Sequence, residues 1–173
     1  IGVVSSCIYG VTLITLYTMS SVYHGLRPGM AKKVMQVLDH CTIYFLIAGS
    51  YTPILLVAMR PKYPALAWVL FGIVWGCAII ACALTAIDLK KYSVFSMICY
   101  LAMGWTIIFF IKQTYEVMSL GGVILLVAGG VAYTVGSILY GLGKTKKWMH
   151  SIFHVFIVAG SILHFFAIIL YAL

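Results

Sequence analysis

The sequence predicts an all-α protein, a polytopic bundle of transmembrane helices, on three observations. Of its 173 residues, 64% are hydrophobic and only 8% are charged. The mean hydropathy is +1.14. The apolar residues also fall into six runs, each close to the roughly 20 residues that a helix needs to cross a bilayer. A soluble globule of this length needs far more polar surface, so the composition excludes that class.

The six apolar runs follow one another with short connections, and we expect them to form a single transmembrane domain, 1–173. The predicted spans are 3–23, 34–59, 65–87, 92–111, 120–142 and 148–173. Nearly all charged residues lie between these runs. Within the second run, the segment GSYTP ends at Pro53 and predicts a kink, because proline removes a backbone hydrogen bond and nearby hydroxyls can replace it.

The loop charges predict the orientation in the membrane. The first, third and fifth loops carry eight Lys and Arg residues, including Lys144, Lys146 and Lys147, whereas the other two loops carry three. By the positive-inside rule, the first set faces the cytoplasm and both ends of this chain lie outside. The net charge of +8 then faces anionic lipid of the plasma membrane rather than nucleic acid. We therefore expect membrane lipids as partners, with a homo-oligomer possible.

Cysteines and small residues indicate helix packing. The five cysteines lie in or beside apolar runs, are odd in number and show no CxxC spacing, which favours reduced, packed thiols over disulfides. Gly72 and Gly76 form a GxxxG motif in the third run. Ser137 and Gly141 repeat the small-xxx-small spacing in the fifth. This spacing predicts close helix approach at both places.

Polar groups inside the spans are the candidates for function, because a membrane-embedded charge is costly. Asp39 is the only one of three acidic residues placed inside a span. Ser20 and His24 share one helix face at the end of the first run, and His150 and His154 share one face at the start of the last run. The predicted topology places these five residues in the cytoplasmic half of the membrane.

Three histidines from two helices indicate a metal site. His150 and His154, one helical turn apart, together with His24 provide the three protein ligands of a catalytic Zn²⁺, and the carboxylate of Asp39 is suited to orient a water there. The HxxxH spacing alone is a weak signal. The alternative interpretation is that these residues only hydrogen-bond one helix to another.

Two further histidines are expected to pack rather than to bind metal. His40 follows Asp39 directly, so it points about 100° away from it around the helix. His164 lies about 15 Å along the helix from His154, too far to share its metal. We expect His164 to contact a neighbouring helix.

Three segments carry a resemblance to a known family. SSVYH, LDHCTIYFLIAGSYTP and HSIFHVFIVAGSILHF resemble, in this order, the signature blocks of the bacterial hemolysin III family. That family belongs to one superfamily with the progestin and adipoQ receptors and the alkaline ceramidases. The resemblance implies seven spanning helices in the full-length family, the first of which we expect to be missing before Ile1. It also implies an outside C-terminus, in agreement with the loop charges.

The resemblance also implies roles for the polar residues. His24, His150 and His154 would bind Zn²⁺ near the cytoplasmic face, Asp39 would act through the water, and Ser20 would support the site. The ceramidase-like members imply a zinc-dependent hydrolase acting on lipid amide or ester bonds at the cytoplasmic leaflet. Two alternatives stay open: a membrane-permeabilising, pore-forming protein, as the family name suggests, and a receptor-like protein whose zinc is structural.

Overall fold

A computed structural model describes residues 1–143 and 148–173 of the chain. Every regular element in these two ranges is helical, which confirms the predicted class. Lys144, Lys146 and Lys147 of the charge count lie outside the described residues. The elements are α1 (Gly2–Gly25), α2 (Met30–Pro53), a π-helical segment (Ile54–Met59), α3 (Pro64–Ile87), α4 (Ser93–Trp105), a 3₁₀ segment (Thr106–Phe110), α5 (Ile111–Leu142) and α6 (Met149–Tyr171).

The chain divides into two compact units, Ile1–Met103 and Gly104–Leu173. The first contains α1, α2, α3 and most of α4. The second contains α5 and α6, which pack against each other along their lengths. That the two units form a single transmembrane domain stays a prediction.

The predicted number of separate spans is wrong. Five helical stretches in the described ranges are long and apolar enough to cross a membrane, and six were expected. The difference arises because the predicted spans 92–111 and 120–142 lie in one stretch of helical turns, Ser93–Leu142, which bends at Ser119 without a separate loop. The polar residues between them do not form a loop. Lys112 and Glu116 are exposed on helical turns. Their charged side chains project away from the helix, so the backbone hydrogen bonds of the helix can continue past them.

Helix α2 is the central helix of the first unit. Its most apolar stretch is 72% buried, against 17% for α1 and 28% for α3. Small residues make this possible: a Cβ on Gly49 would collide with the Thr12 side chain of α1, so only glycine permits this approach. The sequence shows α2 to be less apolar than α3, and its burial follows from contacts with both neighbours.

The predicted irregularity at Pro53 is present as a π-helical turn. The Arg60 amide donates to the carbonyl of Leu55, five residues earlier, at 2.8 Å. Before the proline, the Thr52 hydroxyl donates to the Ala48 carbonyl at 2.9 Å and accepts from the Trp75 indole at 3.1 Å. The Thr52 hydroxyl therefore ties α2 to α3.

A buried chain of hydroxyls joins three helices of the first unit. The Tyr44 hydroxyl of α2 lies 3.1 Å from Thr85 Oγ1 of α3, which lies 3.0 Å from Ser96 Oγ of α4. All three side chains are buried. Because an unpaired hydroxyl is costly in an apolar interior, this network favours one register of the three helices over alternatives.

Glycines set the approach of α5 and α6 in the second unit, but not the ones expected. A Cβ on Gly129 of α5 would collide with His164 and lie 3.2 Å from the Gly160 carbonyl, and a Cβ on Gly160 would meet the Tyr133 ring at 2.9 Å. In contrast, a Cβ added at Gly72, Gly76 or Gly141 would meet no described atom within 4 Å. Among the described residues, the predicted close contacts at those three glycines are therefore wrong, because spacing alone does not show which face of a helix has a neighbour.

Helix α5 is interrupted at Ser119, whose φ of 60° and ψ of 176° are non-helical. This region of backbone conformation is adopted almost only by glycine and costs about 1–3 kcal/mol for other residues. The break gives the chain a new direction immediately before Leu120, where an apolar run was expected to begin.

Candidate functional site

The first turns of α6 bring two imidazoles together. His150 and His154 are four residues apart, so they project from one face of the helix. Their Nε2 atoms lie 3.2 Å apart and their ring centroids 4.8 Å apart, with the rings nearly perpendicular. Both side chains are half-buried. The structure thus confirms that the ring nitrogens of the pair converge, as the HxxxH spacing predicts.

The spacing of the pair fits a zinc ion. Zinc–nitrogen bonds of about 2.0–2.1 Å in a tetrahedral arrangement place two ligand nitrogens about 3.3–3.4 Å apart. The observed Nε2–Nε2 distance of 3.2 Å is close to that value. With one Nε2–H donating to the other nitrogen, the two rings already face each other, so a zinc ion held by both would require little movement of either ring.

Aromatic rings support the pair, and sequence reasoning missed them. Tyr140 of α5 lies 6.0 Å from the His150 ring and 5.3 Å from the Phe153 ring, between ring centroids. Phe153 in turn lies 4.8 Å from His154. These contacts limit the rotamers that the two histidines can adopt. The available signal was Phe153 inside the HxxxH motif, whereas Tyr140 is revealed only by the packing of α5 on α6.

The other three predicted site residues lie in the first unit. Ser20 and His24 are on α1, and Asp39 is on α2. His24 is exposed and its ring lies 4.7 Å from that of Tyr23, whereas Ser20 and Asp39 are half-buried. The Asp39 carbonyl accepts from the Thr42 hydroxyl at 2.8 Å. The helical positions of these residues agree with the sequence analysis, and their functional roles stay predictions.

The connection between α1 and α2 is held by Lys32. Its Nζ donates to the Leu26 carbonyl at 2.9 Å and lies 5.3 Å from the centre of the Tyr23 ring. A cation beside the last carbonyls of α1 is favourable for the helix dipole. Lys32 therefore fixes the end of α1 on which His24 is located, a role that the loop-charge count did not indicate.

The two remaining histidines use their ring nitrogens for packing. His40 Nδ1 donates to the Gln36 carbonyl at 2.8 Å. His164 Nε2 donates to the Leu126 carbonyl at 3.1 Å, and its ring contacts the Tyr133 ring edge-on at 5.2 Å. The expectation that His164 contacts a neighbouring helix is confirmed.

Comparison with known proteins identifies relatives that match nearly the whole chain. The chain is 38% identical over 172 residues to Hemolysin-3 of Bacillus cereus, covering 99% of this chain and 77% of that protein. It is 36% identical over 169 residues to the Hemolysin-3 homolog of Bacillus subtilis (strain 168), covering 98% and 78%. The human monocyte to macrophage differentiation factor is 26% identical over 173 residues, covering 95% and 69%.

No solved structure matches the chain significantly. The family model described as haemolysin-III related matches residues 1–165, which include α1 to α5 and most of α6 with its histidine pair. With five helices able to cross a bilayer in the described residues, the protein is a multi-pass membrane protein, and it belongs to the haemolysin-III-related family.

Proposed function

We propose that this protein is a zinc-dependent hydrolase that cleaves amide or ester bonds of membrane lipids at the cytoplasmic leaflet. The observation that carries the proposal is the 3.2 Å separation of His150 Nε2 and His154 Nε2. Two imidazole nitrogens at this spacing, on one face of one helix, suit two ligands of a single zinc ion.

His24 provides the third ligand in this proposal. It belongs to the first unit and the pair to the second, so its approach to the pair is part of the proposal. Two arguments support it: the loop charges predict that the end of α1 and the start of α6 lie at the same membrane surface, and His24 ends an SxxxH segment that resembles the family's metal-binding motif. Three protein ligands leave one position open, as catalytic zinc requires.

Bound zinc would lower the pKa of water toward about 7 and polarise a lipid carbonyl. Asp39, the single acid inside a predicted span, accepts the proton of the attacking water and returns it to the leaving amine or alcohol. Ser20, one turn before His24 on the same face of α1, supports the site by hydrogen bonding. Lys32 holds the end of α1, so that His24 is presented from an ordered turn.

The site would act on lipids because its residues lie near the ends of apolar helices. His154 lies at the start of an apolar helix, just after a loop with three lysines, and Asp39 lies a few turns into α2. A substrate carbonyl in the headgroup region would reach this depth while its acyl chains remain in the bilayer. Membrane lipids are thus the proposed partners.

The test is zinc content and hydrolysis measured on the same purified protein in lipid nanodiscs. We expect about one zinc per chain in the wild type, and release of fatty acid from a ceramide or an ester lipid. His154→Ala should lose both. Asp39→Asn should keep the zinc and lower the hydrolysis rate by about 10²–10⁴-fold, because it removes the general base. His164→Ala is the matched control and should keep both.

A wild-type protein without zinc after removal of adventitious ions would overturn the proposal. A zinc-loaded protein inactive on amides and esters alike would leave the metal as a structural link and contradict the hydrolase. The second candidate function, membrane permeabilisation, is favoured by the name Hemolysin-3 of the Bacillus cereus relative. Permeabilisation would become the leading candidate if the wild-type protein contained no zinc.

A further inference from the structure

The second unit contains a cavity of about 490 Å³ at the opposite end of α6 from the histidine pair. Its position, near Tyr171, is about 25 Å along the helix from His154 at 1.5 Å per residue. The cavity is a wide-open depression at the surface of the unit, suited to one small group rather than to a whole enclosed ligand. The cavity is lined by the residues on either side of the break in α5 and by the end of α6: Tyr115, Glu116, Val117, Met118, Ser119, Leu170 and Tyr171.

Two tyrosine rings form walls of the cavity. Tyr115 is 53% exposed and Tyr171 36% exposed, so both rings have free surface. Tyr171 is held in place by glycines: a Cβ on Gly121 would collide with its hydroxyl, and a Cβ on Gly122 would lie 2.9 Å from its Cβ. One side of Tyr171 thus packs on the backbone of α5, and the other side is left toward the cavity.

Glu116 gives the cavity its charge. The chain carries a net charge of +8 with only three acidic residues, and one of them lines this cavity. Lys112 lies one turn before Glu116 on α5, and Glu116 is the charged residue among those that line the cavity. A carboxylate beside aromatic rings attracts cations, because the ring faces carry negative partial charge.

The backbone of the cavity wall is strained. Ser119, with φ 60° and ψ 176°, lines the cavity and is the residue at which α5 breaks. Conformations of this kind persist only where the surrounding structure enforces them, and they are concentrated at ligand-binding sites. Val117 and Leu170 supply apolar surface beside the two rings and the carboxylate.

We propose that this cavity binds an alkylammonium group, such as the trimethylammonium of a choline headgroup. Glu116 neutralises the positive charge, and the rings of Tyr115 and Tyr171 contact the methyl groups by cation–π attraction. The side chains of Val117 and Leu170 contact the remaining surface of the methyl groups. The same chemistry is offered by a choline phospholipid in the bilayer and by a free quaternary amine in solution. The site contains none of the proposed zinc ligands, so it stands independently of the hydrolase proposal.

The experiment is native mass spectrometry of the detergent-solubilised full chain with equimolar phosphatidylcholine and phosphatidylglycerol, followed by titration with choline chloride. We expect preferential retention of phosphatidylcholine. Glu116→Gln should weaken it at least about fivefold, and Tyr115→Leu about two- to fivefold, the effect of one ring. Asp88→Asn and Tyr92→Leu, matched changes in the first unit, should leave retention unchanged. Equal melting temperatures would show that all four variants fold.

Titration with choline distinguishes the two ligand sources. Displacement of phosphatidylcholine only at high choline concentration identifies the lipid headgroup as the ligand. Saturable binding of choline without lipid preference, lost in Glu116→Gln, identifies a free quaternary amine. The proposal is overturned if neither choline nor phosphatidylcholine binds in preference to the glycerol headgroup, or if the control variants weaken binding as much as Glu116→Gln.

Discussion

Helix α6 presents histidines in two different environments. At its start, His150 Nε2 and His154 Nε2 face each other at 3.2 Å. Further along the same helix, His164 Nε2 donates to the Leu126 carbonyl of α5 and the ring sits above Gly129. In the first arrangement, the Nε2 atoms of two imidazoles face each other. In the second, the Nε2 atom of one imidazole donates to a backbone carbonyl. The difference shows that the partner of the ring nitrogen, rather than the presence of histidine, separates a candidate metal ligand from a packing residue.

The largest effect is expected from removing one member of the His150–His154 pair. His154→Ala should weaken zinc binding by more than about 100-fold, because losing a direct ligand costs more than the 10–100-fold typical of losing an outer-shell partner. His164→Ala should leave the affinity unchanged. Competition with a fluorescent zinc chelator measures both dissociation constants. Equal losses in the two variants would mean that the two environments are coupled and that the comparison is wrong.

An intermediate effect is expected in the second environment. Gly129→Ala should destabilise the protein by about 1–3 kcal/mol, because the new methyl group overlaps His164 and approaches the Gly160 carbonyl at 3.2 Å. The measurement is the free energy of unfolding in mixed micelles. Gly72→Ala is the control, since its methyl group meets no described atom within 4 Å. The control should be neutral or stabilising by up to about 1 kcal/mol, as alanine favours a helix over glycine.

The smallest effect concerns the break in α5, away from both histidine environments. Ser119→Gly should stabilise the protein by about 1 kcal/mol, because glycine adopts a φ of 60° without the steric cost that serine carries. Ser137→Gly, in a regular part of the same helix, should destabilise it by about 0.5–1 kcal/mol. The same unfolding measurement compares the two variants. Destabilisation by Ser119→Gly would contradict a strained break at this position.

The histidine environments were predictable from sequence to different degrees. The i, i+4 spacing of His150 and His154 predicts their convergence, because the pitch of one helix sets it. The partner of His164 was not predictable, because it is the backbone carbonyl of Leu126 on another helix, and spacing along α6 does not show what α5 places beside it. The aromatic contacts of Tyr140 and the cavity near Glu116 likewise depend on how α5 and α6 pack.

The sequence by itself determined the helical class, the membrane environment, the family and the polar residues worth testing, because these depend on composition and on spacing along one helix. Only the tertiary structure decided that α2 is central, that Gly49, Gly129 and Gly160 rather than Gly72 and Gly76 are the close-contact glycines, and that residues 112–118 stay helical up to Ser119. The physical reason is that a spacing motif defines a face of a helix, whereas the contacts of that face depend on the neighbour that covers it.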